Sequence, residues 1–184
     1  LRYARDPAHA QQDAVIFRGE DGRRRTLSFG GLADASARFA AALRNAGVQR
    51  GDCVAGYMPN TIETVVAMLA ATRLGAMWSS CSPDFGVQGV LDRFGQVAPK
   101  VLISVNGYQY AGKQIPLLDR IEAVAAQLPS LQTVVIVDFV EALPSITAGS
   151  PWLRYNDALV CNAALDGFEP VAFDAPLFVI FSST

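Results

Sequence analysis

The sequence predicts an α/β fold in which a parallel β-sheet is flanked by helices. Three observations carry that expectation. Between residues 53 and 138 short apolar runs alternate with longer amphipathic ones, the order that builds a sheet wound with helices. Runs such as "KVLISV" and "QTVVIV" are apolar almost throughout, as strands covered on both faces are. Glycine, proline or asparagine stands at nearly every switch between the two patterns.

The elements follow in order. "AVIFRGEDGRRRTLSF" reads as two short strands around the turn signal Glu20-Asp21-Gly22. Ser28 can cap the helix that follows, in which Leu32, Ala35, Phe39, Ala42, Leu43 and Ala46 recur at helical spacing before Gly47. "DCVAGYM" is a strand. Asn60 is the expected cap of the next helix, with Glu63 completing a capping box and Gly75 closing it. That helix has little polar face and should lie on the sheet with cover on its outer side. "AMWSSC" is the next strand, and Asp84 the expected cap of a helix with Val87, Val90, Leu91, Phe94 and Val97 on one stripe, stopped by Pro99. After "KVLISV", Pro116 is expected to open a helix that ends at Pro129, and "QTVVIV" follows.

From Asp138 to about Pro176 the pattern weakens, with one helix expected near Tyr155 to Asn162. Trp152, Leu153, Tyr155 and Phe168 are apolar enough that the stretch should pack rather than hang in solvent. "PLFVIF" restores the signal of a central strand and runs into Ser182, Ser183 and Thr184.

Composition narrows the function. The 184 residues suit one domain or one large subdomain; 51% are hydrophobic and only 17% charged, which implies heavy burial or a missing neighbour. Fifteen basic residues face seventeen acidic ones with no block of like charge, which disfavours nucleic-acid and membrane-surface partners. The longest apolar stretch is broken by Arg73 and too short to span a bilayer. Cys53, Cys81 and Cys161 are odd in number and far apart, which suits a reducing cytoplasm rather than a disulfide framework or zinc site. The chain begins on Leu1 without a signal-peptide pattern and stops on a strand, so both ends read as cut.

Chemistry is sparse. His9 is the only histidine, which leaves no natural Ser-His-Asp or Cys-His set and no His-rich metal site. No G-x-G-x-x-G follows a strand. "GYQYAGK", Gly107 to Lys113, spells G-x-x-x-x-G-K, but Gln114 stands where a P-loop needs the hydroxyl that holds magnesium. Three readings stay open: a P-loop-like nucleotide module, an exposed loop with a solvated lysine, and a phosphate contact by Lys113 without a P-loop. Arg73 reads as a helix-end charge complementing the dipole. The terminal hydroxyls admit a frayed end or the entry to an anion-binding loop at the carboxyl end of a parallel strand.

"RTLSFGGLADASARFAAALRNAGVQRGDCVAGYMPNTIETVVAMLAATRLGAMWSSCSPDFG" resembles the N-terminal half of the adenylate-forming acyl-CoA synthetase superfamily, with Gly51-Asp52, Pro59-Asn60 and Leu74-Gly75-Ala76 in matching order. The following block, to "NGYQYAGK", is more similar to the branch that activates acetoacetate. The resemblance implies that residues 1–184 are a partial N-terminal AMP-binding domain, ending before a glycine-rich phosphate loop. It implies an AMP-forming acid–thiol ligase using ATP, CoA and magnesium on acetoacetate or another short carboxylate. The isolated chain would be catalytically incomplete, with the rest of the same enzyme as its partner. Ser182 and Ser183 match the start of the ATP phosphate loop, and Thr184 falls where glycine is usual. Lys113 matches a CoA phosphate contact, whereas Tyr110 replaces a companion arginine. The catalytic and magnesium-binding residues would lie beyond Thr184.

Overall fold

The computed structural model describes residues 2–147 and 150–182. A single 3-10 turn, Arg2–Arg5, leads to β1 (Asp13–Arg18) and β2 (Arg24–Ser28), which pair antiparallel as the hairpin read from the sequence. Gly22 turns it with a φ of 80°, a conformation that suits glycine. Ser28 caps α1 (Phe29–Asn45), its hydroxyl accepting from the Gly31 amide at 3.1 Å. The helix closes in a Schellman turn: Val48 N–H donates to Leu43 O and Gly47, at φ 86°, to Arg44 O.

β3 (Cys53–Tyr57) is buried along its whole length. α2 (Ile62–Arg73) is capped by Thr61, not Asn60: the Thr61 hydroxyl accepts from the Thr64 amide at 3.3 Å. The expected capping box therefore does not form, because Glu63 falls one position early. Its carboxylate instead takes both its oxygens to one nitrogen of Arg25, at 2.7 Å each, tying α2 to the hairpin. β4 (Met77–Cys81) follows, then α3 (Val87–Val97). Gly86 is the cap residue of α3, because Asp84 is held in a turn with Ser82, whose hydroxyl donates to Asp84 Oδ2 at 2.9 Å.

β5 (Val101–Val105) is again fully buried. Gly107–Tyr110 and Lys113–Pro116 form a second antiparallel hairpin, β6 and β7, so Pro116 ends a strand and α4 begins at Leu118, running to Ala125. β8 (Thr133–Val137), β9 (Leu153–Arg154), α5 (Tyr155–Val160) and β10 (Phe178–Val179) complete the chain.

Six strands form one sheet in the order β10-β4-β3-β5-β8-β9, every neighbouring pair parallel. The fold is thus the expected parallel sheet flanked by helices. From β3 the chain steps one way to β4 and then crosses to the other side for β5, so right-handed crossovers place α2 and α3 on opposite faces. The packing agrees: α1 lies against α2 and α5, and α3 against α4.

Two expectations fail at the end of the chain. "PLFVIF" is not a central strand among the described residues: only Phe178–Val179 pair, at the β4 edge, and Ile180 is 86% exposed. In the 138–176 stretch Tyr155 is buried against Phe39, with ring centroids 4.8 Å apart, whereas Leu153 and Phe168 are exposed.

Candidate functional site at the carboxyl edge of the sheet

In open parallel sheets ligands gather where the strand order reverses, at the carboxyl ends of the strands. Here the reversal lies at β3 and β5, and the loops leaving β3, β4, β5 and β8 meet there.

The loop after β3 is pinned at two points: Thr64 Oγ1 in the first turn of α2 donates to Pro59 O at 2.7 Å, and Met58 N–H donates to Cys81 O at 3.3 Å. The loop after β4, Ser82 to Phe85, is held from below by buried Tyr57, whose hydroxyl donates to Phe85 O at 2.5 Å, with Pro83 O at 3.1 Å. From the side, Tyr108 of β6 donates its phenolic proton to Asp84 Oδ1 at 2.9 Å. Burial raises the affinity of both phenols for their protons, and for Tyr108 the Asp84 carboxylate adds to the effect. They therefore serve as donors that lock the loop. Between these loops lies a polar pocket of about 190 Å³, to which Asn60, Thr64, Ser80 and Ser82 contribute side chains.

Asn106, buried just past β5, organises the loop after β8. Its carbonyl oxygen accepts from the Phe139 and Val140 amides at 2.9 and 3.1 Å, and its amide donates to Val140 O at 2.9 Å and Leu143 O at 3.2 Å. A complete set of partners at one buried side chain fixes a loop that has no regular structure of its own.

The P-loop reading of Gly107 to Lys113 is overturned. The segment is a hairpin whose turn residues Ala111 and Gly112 both have positive φ, 50° and 73°, and β6 and β7 pair from Gly107–Pro116 to Tyr110–Lys113. Backbone groups spent on a ladder cannot wrap a phosphate as a nucleotide loop does. Lys113 is exposed next to the turn, opposite Tyr110, on a hairpin that rises directly from the carboxyl end of β5. Ser182 is exposed beyond the carboxyl end of β10, while Ser183 and Thr184 lie outside the described residues. Lys113 and Ser182 thus share one edge but not one pocket: β5 and β10 are three strand spacings apart, roughly 14 Å.

His9 accounts for itself elsewhere, its Nδ1 2.6 Å from Asp6 Oδ2 in the N-terminal segment. Among the described residues no group of three His, Cys, Asp or Glu side chains is placed to hold a metal ion. None of their helices is long and apolar enough to cross a membrane. Sequence reasoning missed Asn60, Thr64, Ser80, Ser82 and Asn106. The signal available for four of them was position alone, as polar residues within or just past the carboxyl ends of apolar strands.

The AMP-binding enzyme family matches residues 4–184. An acetoacetyl-CoA synthetase of Rattus norvegicus is 41% identical over 184 residues, covering 95% of this chain and 27% of that protein. An acetoacetyl-coenzyme A synthetase of Rhizobium meliloti (strain 1021) is 42% identical over 173 residues, covering 93% and 26%. The solved structure of acetoacetyl-CoA synthetase from Streptomyces lividans superposes with a TM-score of 0.87 at 36% identity, covering 95% of this chain and 26% of that one. The chain therefore spans about a quarter of the length of the curated relatives it matches. Its parallel sheet, its order of elements and the match over residues 4–184 agree that the chain belongs to the AMP-binding enzyme family.

Proposed function

We propose that this chain forms the N-terminal part of an AMP-forming carboxylate–CoA ligase that converts acetoacetate to acetoacetyl-CoA in the cytoplasm. The observation that carries the reading is identity above 40% to acetoacetyl-CoA synthetases from a mammal and a bacterium across more than nine-tenths of the chain. The three free cysteines, two of them buried, suit a reducing compartment.

In this reaction a carboxylate oxygen attacks the α-phosphorus of ATP and pyrophosphate leaves. The thiol of CoA then attacks the acyl carbon of the adenylate and AMP departs. The chain's contribution is positional. Ser182, Ser183 and Thr184 begin the loop whose hydroxyls and amides hold the ATP phosphates, following a parallel strand at whose carboxyl end anions gather. Lys113 offers a point charge to a CoA phosphate from a hairpin that the Tyr108–Asp84 hydrogen bond fastens to the β4 loop. Magnesium would offset charge on the leaving pyrophosphate, held by residues outside this chain. The rest of the same protein is the natural cover for exposed Leu177, Phe178 and Ile180.

The test is acetoacetate-dependent pyrophosphate release by the longer protein that carries this segment, with acetate and butyrate as competitors. Acetoacetate should give the highest kcat/KM; a preference for another acid overturns the substrate, and absence of pyrophosphate with every acid overturns the reaction. The 184-residue chain alone should release none. In the longer protein Lys113→Ala should raise KM for CoA about tenfold and leave acetoacetate-dependent ATP–pyrophosphate exchange unchanged.

A further inference from the structure

The end of α2 that meets β4, the opposite end of the sheet from Ser182, carries a second feature that the proposed ligase chemistry does not use. Arg73, in the last turn of α2, is only 8% exposed. It is more than a dipole-complementing surface charge. One terminal nitrogen donates to Leu165 O at 2.8 Å, the guanidinium lies 4.3 Å above the Phe168 ring, and Nε is buried without a partner. The side chain lines a cavity of about 420 Å³ together with Arg2, Arg5, Ala33, Gly167 and Phe168.

No acidic residue lines that cavity. Among the described residues none of the three arginines takes part in an ion pair. Asp166 acts on Arg73 through space without closing to an ion pair, while Arg5 repels it; burial and that repulsion together lower the proton affinity of the guanidinium. Buried cations are ordinarily paired, and like charges are brought together at a cost unless something of opposite sign joins them. Arginine forks match tetrahedral oxyanions in shape as well as charge.

We propose that Arg2, Arg5 and Arg73 form a binding site for a phosphate group, either free or carried on a small ester. The two exposed arginines supply charge from the N-terminal turn, and Arg73 supplies a guanidinium whose orientation is fixed by Leu165 and Phe168. Occupation would tie the N-terminal turn to α2 and to the 165–168 loop. The site is independent of the carboxyl edge, and so of the ligase reading.

Isothermal titration of the 184-residue chain with inorganic phosphate, at constant ionic strength, tests it. The expected result is saturable one-to-one binding, weakened about tenfold in Arg5→Gln, lost in the Arg2→Gln/Arg5→Gln pair and unchanged in Lys113→Ala. Both glutamine changes fall on exposed residues, so the fold survives them; Arg73→Lys, checked by circular dichroism, should keep the charge and still weaken binding. Titration with glycerol 3-phosphate separates the two sources: tighter binding than inorganic phosphate assigns an ester, weaker binding a free ion. Absence of saturable binding to either, affinity unchanged in the double variant, or loss in Lys113→Ala would overturn the proposal.

Discussion

Val101–Val105 and Leu177–Phe181 are both apolar runs, and they end in opposite states. The first is β5, every residue buried, with β3 on one side, β8 on the other and helices over the sheet. The second pairs only at Phe178–Val179, with β4, and leaves Leu177, Phe178 and Ile180 exposed. An apolar run states that a segment will be a strand; how deeply it is buried is decided by what stands on its other side. In β10 that neighbour is absent among the described residues.

The difference can be broken by truncation. Ile103→Ala in β5 should cost about 2–5 kcal/mol, because the cavity it leaves is walled on every side. Phe178→Ala should cost under about 1 kcal/mol, since the residue is already 44% exposed. Urea denaturation of the two variants measures both; comparable losses would mean that β10 is as well covered as the centre.

The next effect belongs to Asn106. Replacing it with alanine strands the Val140 amide in a dry place and leaves the Phe139 amide only its bond to Val137 O, at a cost of about 2–3 kcal/mol. Hydrogen exchange at those two amides should accelerate more than in β5. Equal acceleration throughout would make Asn106 a general core residue rather than the clamp of one loop.

A smaller loss is expected at Gly56, where β3 passes under Trp78. A Cβ at this position would lie 2.6 Å from the indole ring, so Gly56→Ala must push the ring aside, at about 1–2 kcal/mol. Trp78 should report the shift by fluorescence; an unchanged spectrum with full stability would show that β4 is less tightly packed than the rest of the centre.

The same contrast explains what could be read in advance. Strands β3, β5 and β8 and the stripe of α3 were legible because their burial follows from local periodicity. Caps were legible where one candidate existed, as at Ser28. Where two stood side by side, Asn60 and Thr61, the choice depended on a tertiary contact: Glu63 is claimed by Arg25 across a separation in sequence that no local pattern encodes. The hairpin at 107–116 was hidden for a related reason. Its turn is Ala111-Gly112, and an alanine at φ 50° does not announce a reversal as Asn-Gly does. Of the candidate site, Lys113 and Ser182 were singled out by motif and by position at a strand end, and resemblance to a family chose among their readings. Ser80, Ser82 and Asn106 become visible only when the carboxyl ends of the strands are brought side by side.

Thiol chemistry draws the line between the two regions most finely, because at neutral pH it leaves stability unchanged. Cys53 in β3 and Cys81 in β4 are buried, and burial pushes their thiols up to about 11 and about 12; the Asp52 carboxylate adds to the first shift and Arg93 opposes the second. Cys161, just past α5, is exposed. A thiol reagent at pH 8 should therefore label one cysteine of the native chain quickly and the other two only as fast as the sheet opens. The alkaline limb carries the sign. Unfolded thiols ionise near 9.0, so above that pH the unfolded chain holds fewer protons than the folded one and stability declines. The contribution is complete below about pH 9 and is lost progressively as pH rises towards about 12. Buried Tyr57, Tyr108 and Tyr155, whose phenols are also raised, push in the same direction. Urea midpoints at pH 8 and pH 10 should fall, and fall less in Cys81→Ala after correction for its lower starting stability. An equal fall in both would assign the alkaline loss to Cys53 and the tyrosines and remove β4 from the protected centre.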